Sequence, residues 1–303
     1  MRTKNSVVEI VILGILGLLV IFTLLVPQLL REEAYQPLFL SVLLRDADSS
    51  GLAAARLGME QAADELGAEL RFLTPTVQGD SREQAELLRR EAEGGAHALI
   101  AVPADPATLR DALLSSPRPL VTLEAPVEGG AGTVSPDNAL LGQALAQALL
   151  EDWDSGPVVL LDSGASCPGA VPRLEAALEV LTAAQVPVIR MTGLPEGPLP
   201  RRWVMAFEPS ATRQAAEKRN AQGLGFSLYG VGSSTAITSL LERGEITAVA
   251  AWSDYAAGYL AVQQAVRAVR EQSQELELLS FSIVRGEDIY APENQKLLFP
   301  VTS

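Results

Sequence analysis

The 303-residue chain has one cysteine, Cys167, and one histidine, His97. A lone cysteine excludes an internal disulfide framework. A lone imidazole excludes a histidine-rich metal site, and any Ser-His or Cys-His nucleophile pair would have to use His97. Cations are also scarce: 23 Lys and Arg face 37 Asp and Glu, for a formal net charge of −14. That balance opposes sequence-independent binding to nucleic acid, which needs basic groups to displace phosphate counterions. Aromatics contribute only 5%, so the 48% hydrophobic content is mainly aliphatic and excludes a disordered chain. The length allows one large domain or two lobes of ordinary size.

Part of that apolar content is one run. Val7 to Val26 reads VVEIVILGILGLLVIFTLLV, with Glu9 as its only charge. Twenty helical residues rise roughly 30 Å, about one bilayer core. The run is apolar on every face, which suits a membrane helix better than a buried core helix. Arg2 and Lys4 precede it, and Arg31, Glu32 and Glu33 follow. This bias predicts a cytoplasmic N-terminus and an extracytoplasmic remainder, single-pass in the cell membrane. The exit, LVPQLLREEAY, lacks the small-residue cleavage pattern, so an uncleaved signal anchor is preferred over a cleaved signal peptide. No cysteine lies near the exit to carry a lipid.

From residue 37 onward, short apolar runs alternate with amphipathic ones. Leu38–Leu44 (LFLSVLL) has the length and continuous apolarity of a strand buried on both faces. Leu52–Leu66 places Leu52, Ala55, Met59, Ala62 and Leu66 on one helical face, with Gly67 as a left-handed stop. The cycle continues with a strand at 68–73 and a helix at 81–93, where Ser81 and Gln84 have capping-box spacing. Asp105 and Asp137 are expected to cap helices. Similar units run to a last strand at 280–284. About five α/β units on each side of residue 125 predict two lobes with parallel sheets; a single eight-fold barrel is the competing arrangement.

Several segments, in order, resemble the type 1 periplasmic (sugar) binding protein family, which shares its fold with LacI-type ligand-binding domains. They are GMEQAADELGAEL (58–70), GGAHALIAVPAD (94–105), PLVTLEAP (119–126), TVSPDNALLGQALAQAL (133–149), PRLEAALEVL (172–181) and LLERGEITAVAAWSDYAAGYLAVQQAV (240–266). The resemblance implies two Rossmann-like α/β lobes joined by a three-crossing hinge. Crossings are expected near Glu124–Ala125, Ala251–Trp252 and Leu278–Ser280. Lobe 1 would comprise about 37–123 and 253–279, and lobe 2 about 126–251 and 280–303, after an anchor in 1–36. A ligand would sit between the lobes, beyond the carboxyl ends of the strands.

Strand ends and crossings nominate the binding residues: Arg45, Asp48 and Ser49 in the first loop, Glu124 at the first crossing, Ser166 after the fifth strand, Glu208 after a later one, and Trp252 and Asp254 at the second crossing. Carboxylates and an arginine can bracket hydroxyls with charge-assisted hydrogen bonds, and Trp252 can stack on the apolar face of a sugar. The sequence departs from the family's pattern. Ser49-Ser50-Gly51-Leu52 replaces an Asn-Pro-aromatic-aromatic stretch, Glu124-Ala125 an Asp-Arg, and Glu208-Pro209 an Asn-Asp. The family's arginine before the 172–181 helix falls near Val171. TGLPEGPLPRR, between Met191 and Trp203, is too short and Pro-rich for a crossover helix. Gly164-Ala165-Ser166-Cys167-Pro168 lacks the final glycine of a nucleophile elbow. The expected function is therefore capture of a carbohydrate or similar polar molecule for an ABC permease, without catalysis, cofactor or metal. A ligand-sensing subunit beside a membrane sensor kinase and a ligand-free interaction module are the alternatives.

Overall fold

The computed structural model describes residues 37–46, 52–193, 203–272 and 278–299. The expected anchor at 7–26 lies outside them; among the described residues no helix is long and apolar enough to cross a membrane.

The first sheet contains β1 (Leu38–Leu43), β2 (Ala68–Leu73), β3 (Ala98–Ala101), β4 (Leu120–Leu123) and β5 (Gly132–Val134). Their order is β2-β1-β3-β4-β5, and every pairing is parallel. The intervening helices are α1 (Leu52–Leu66), α2 (Ser81–Glu93) and α3 (Pro106–Leu113). The second sheet takes β6 (Val158–Leu161), β7 (Val188–Met191), β8 (Trp203–Ala206), β9 (Ser227–Val231), β10 (Ala248–Trp252) and β11 (Phe281–Arg285) in the order β11-β10-β9-β8-β6-β7. Here β11 runs antiparallel to β10 and the other pairs are parallel. Its helices are α4 (Asn138–Asp152), α5 (Ala170–Ala183), α6 (Pro209–Gln222), α7 (Thr235–Glu242) and the C-terminal α9 (Pro292–Leu298). Helix α8 (Asp254–Val269) follows β10 but packs on α1 and β3 of the first sheet. Two α/β lobes result, and two separate sheets exclude the barrel.

Strand periodicity decides which core each residue joins. In β6, Val158 and Leu160 pack with Leu141, Leu145 and Leu174 of α4 and α5. The alternate residues, Val159 and Leu161, pack with Ala215 of α6 and Leu241 of α7. In the first lobe Leu40 and Val42 meet Met59 of α1 and Val262 of α8, while Leu43 faces Leu88 and Leu109 of α2 and α3. Sheets covered on both faces explain why these strands read as continuous apolar runs.

Three expectations are corrected. First, β5 pairs with β4, so the chain leaves the first sheet after Val134 and not at Glu124–Ala125. The turn at Glu124 does not cross over. It returns through Gly130 to the sheet edge, where the Thr122 and Thr133 hydroxyls lie 2.9 Å apart. Second, the cap of α2 is Asp80, whose carboxylate accepts from the Arg82 and Glu83 N–H groups; Ser81 is the first helical residue. Gln84 turns inward instead. Its amide donates to the Leu44 and Val102 carbonyls and accepts from Ala104 N–H, tying the ends of β1 and β3 together. Third, the sheet is not wholly parallel, because β11 returns beside β10. The segment expected to lack a crossover helix links β7 to β8 on opposite sides of β6, and its residues 194–202 lie outside those described. Asp105 and Asp137 cap α3 and α4 as expected.

Candidate binding cleft

The carboxyl ends of both sheets face a cavity of about 260 Å³. That is near the lower end of ligand pockets, which run from about 300 Å³ upward. Of the nominated residues, Arg45, Glu124, Glu208, Trp252 and Asp254 all border it. Ser166 does not. It lines an adjoining hollow of about 270 Å³ and reaches the cleft only by donating to Glu208 at 3.4 Å. Asp48 and Ser49 lie outside the described residues.

Glu124 is the hub. It follows β4 with φ 67°, a left-handed backbone conformation that a non-glycine residue adopts at a cost. Surrounding contacts fix that turn. Its Oε2 accepts from Arg45 Nη1 at 2.8 Å and lies 3.7 Å from Cys167 Sγ. Its carbonyl accepts from Asn138 Nδ2 at 3.0 Å. Arg45 belongs to the first lobe, whereas Asn138 and Cys167 belong to the second. A Cβ built on Gly169, the residue before α5, would sit 3.0 Å from the Glu124 carbonyl oxygen. Glycine there lets the second lobe come this close.

Arg173 was not nominated, yet it is the largest fully buried side chain at 1% exposure and borders the cavity. Its Nε donates to Asn138 Oδ1 at 2.7 Å and its Nη1 to the Phe207 carbonyl at 3.0 Å. Its guanidinium lies 4.9 Å from the centre of the Trp252 ring, within cation–π range. So Trp252 is an arginine platform as well as part of the wall. One nitrogen, Nη2, is buried without a hydrogen-bond partner among the described residues. The sequence did carry a signal. Ala170, Leu174, Ala177 and Leu181 form the buried stripe of α5, and Arg173 is a charge beside that stripe.

Burial and charge set the protonation of these groups. Burial pushes the Glu124 carboxyl up, but Arg45 and Arg173 outweigh it and hold the pKa below the ordinary value. Burial lowers Arg45, and the Glu124 charge more than reverses this, so the guanidinium stays fully charged. Burial and then Glu124 push the Cys167 thiol up to about 12, leaving no reactive thiolate at neutral pH. Asp254 is pushed up to about 7 by burial, assisted by Glu124 and opposed by the Ser233 hydroxyl, which donates to it at 2.9 Å. Arg173 is lowered by burial.

Other candidates are accounted for structurally. His97 precedes β3, at the strand end away from the cleft, where its Nδ1 accepts from Phe39 N–H and its ring stacks on Phe39. Asp162 accepts from Gly164 N–H and pairs with Arg190 at 2.8 Å. Among the described residues no cluster of His, Cys, Asp and Glu could hold a metal ion. The arrangement can bind a polar molecule through charged donors and acceptors on two lobes, and no nucleophile–base pair lines it among the described residues.

The fold has many solved counterparts. One is an ABC transporter solute-binding protein from Agrobacterium vitis with bound D-fucose, with TM-score 0.77 and 14% identity over 86% of this chain and 100% of that chain. A carbohydrate transporter solute-binding protein from Agrobacterium radiobacter in complex with D-arabinose gives TM-score 0.75 and 15% identity, covering 86% and 99%. The XylFII-LytSN complex gives TM-score 0.70 and 15% identity, covering 84% and 99%. No curated protein matches the chain. Residues 40–197 match the family model described as periplasmic binding protein domain. That match spans 158 of the 303 residues and agrees with the two-lobed architecture and the resemblance read from the sequence; the chain belongs to the periplasmic binding protein domain family.

Proposed function

We propose that the chain is a membrane-anchored extracytoplasmic binding protein that captures a sugar or similar polar small molecule for an ABC transporter, without transforming it. The observation that carries this is the cleft itself, where Arg45 and Glu124 from one lobe and Arg173 and Glu208 from the other border one cavity. Such groups suit hydroxyls, each of which both donates and accepts. The sugars bound by the Agrobacterium proteins support the ligand class, and their transporter role supports the partner. The apolar run from Val7 to Val26, with Arg2 and Lys4 before it, supports the anchor and its orientation. The test is a thermal-unfolding screen of the full chain in detergent against a panel of sugars and polar metabolites. One compound should raise the midpoint in a dose-dependent way. A flat panel would leave the interaction-module reading in its place. Protease added outside intact cells should digest the lobes, and protection would overturn the orientation.

A second reading is favoured by one observation, the similarity to XylFII solved in complex with LytSN. In it the lobes report ligand to a membrane sensor kinase. A tether would raise the effective concentration of such a partner. Deleting the gene would then abolish a transcriptional response while ligand uptake stays intact; the transporter reading requires the reverse.

A further inference from the structure

Among the described residues the cleft is lined by four acids, Asp46, Glu124, Glu208 and Asp254, and three arginines, Arg45, Arg173 and Arg213. Asp46 and Glu124 pair with Arg45 at 3.5 and 2.8 Å. Glu208, 9% exposed, accepts only from the Ser166 hydroxyl at 3.4 Å among the described residues. Asp254 takes its hydrogen bonds from neutral donors, the Ser233 hydroxyl and Trp252, and feels the Arg173 charge only as the weakest of these influences. The remaining cations of the wall make no ion pair with Glu208 or Asp254 among the described residues. Arg213 pairs with Glu217 one turn further along α6 at 2.8 Å. Arg173 gives its described hydrogen bonds to neutral acceptors, Asn138 and the Phe207 carbonyl.

Arg173 borders the cavity at 1% exposure, and its Nη2 has no hydrogen-bond partner among the described residues. A buried guanidinium N–H without an acceptor is costly and calls for an oxygen. One wall therefore asks for an oxygen acceptor, and another offers two carboxylates that make no ion pair among the described residues, with Arg173 the cation that acts on Asp254 from a distance.

We propose that the guest is a polyhydroxylated molecule bearing a protonated amine, an amino sugar, with its ammonium toward the Glu208 and Asp254 side and a hydroxyl or ring oxygen toward Arg173. This rests on the carbohydrate reading above and narrows it. An ammonium donates three hydrogen bonds, supplies positive charge beside Glu208, and favours the ionised form of Asp254, whose pKa burial otherwise pushes up to about 7. A neutral sugar would satisfy hydrogen bonds and leave the charge uncompensated. A uronic acid would add a negative charge to a wall that already has a surplus.

The test is titration calorimetry on the full chain with D-glucosamine, D-galactosamine and D-mannosamine. Each is compared with its neutral parent, and D-glucuronate and D-galacturonate are included. At least one amine should bind tenfold or more tighter than its parent. In Glu208→Gln and Asp254→Asn variants, checked for folding by thermal melting, that ratio should fall below threefold in at least one. A parent binding as tightly as its amine, or a uronate binding tightest, would overturn the amine assignment and leave the carbohydrate reading standing. A preference that survives in both variants would also overturn it. Silence across the whole panel would overturn both readings.

Discussion

Gly142, in the first turns of α4, is a sharp test of how the second lobe holds its arginine. A Cβ built there would lie 2.0 Å from the Arg173 carbonyl oxygen and 2.8 Å from its Cα. Both obstacles are backbone, so no rotamer change relieves them. Ordinary contact begins near 3.4 Å, so Gly142→Ala must push α4 and α5 apart by more than an ångström. Overpacking of this kind typically costs about 1–3 kcal/mol. The clash is backbone against Cβ, so a cost of about 2–3 kcal/mol is expected. At the ~2–4 °C per kcal/mol typical of chains this size, the melting midpoint should fall by about 5–10 °C. The same displacement strains the 2.7 Å bond between Arg173 and Asn138, so ligand affinity should fall in parallel. Gly225→Ala is the control. A Cβ there meets nothing within 4 Å, and its melting midpoint should stay within about 2 °C of wild type. Thermal melting and ligand titration of both variants decide the matter. If Gly142→Ala melts with wild type, α4 and α5 are not in backbone contact there and glycine does not set the position of Arg173.

The remaining predictions concern single groups. Asp254 titrates near 7 when folded and near its ordinary 3.8 when unfolded, so between those values the folded state holds more protons. Its contribution is thus complete below about pH 4 and lost as pH rises through 7, about 1–2 kcal/mol between pH 5.5 and 8 after solvent screening. Denaturant titrations at both pH values should show this slope in wild type and not in Asp254→Asn. Arg173→Met, which removes two hydrogen bonds and the platform charge over Trp252, should reduce ligand binding at least tenfold by calorimetry, since it also removes the buried donor facing the guest. Asp105→Ala should cost about 1 kcal/mol as a lost cap of α3 and leave affinity unchanged, whereas Trp252→Ala should weaken binding; equal effects on affinity would remove Trp252 from the site. Cys167, buried with its thiol near pKa 12, should resist a thiol reagent in the native protein and react once it is unfolded.

The lobes were legible because sheets covered on both faces need short continuous apolar strands, and β3, β4, β6 and β8 are buried at every position. Features with no apolar run were not legible. The edge strand β5 is three residues, Gly-Thr-Val, and nothing local distinguishes it from a loop; its pairing with β4 appears only in three dimensions. The α2 cap was misplaced by one residue because Ser81 and Gln84 fit a spacing rule, while the inward pull on Gln84 from three chain segments is a tertiary effect. Residues at strand ends were found by topology alone, and five of the eight nominated border the cleft. Arg173 was missed because it projects from a helix and not from a strand end.

The location of that arginine changes what the sequence departures mean. The sequence had suggested that the family's arginine was lost near Val171. A buried guanidinium nevertheless reaches the cleft from Arg173, in the first turn of α5. It is oriented by Asn138, and Asn138 also grips the Glu124 carbonyl. One asparagine thus fixes both an acid of the first lobe and a base of the second, coupling their geometries through two hydrogen bonds. A chain that had merely decayed from a binding protein would have little reason to keep a fully buried arginine with an unpartnered nitrogen, because a buried unsatisfied donor lowers stability. Replacing such a group with an apolar residue is often neutral or stabilising. Its presence at the wall of a cavity, beside carboxylates that make no ion pair among the described residues, favours a site built for a guest over a ligand-free interaction module.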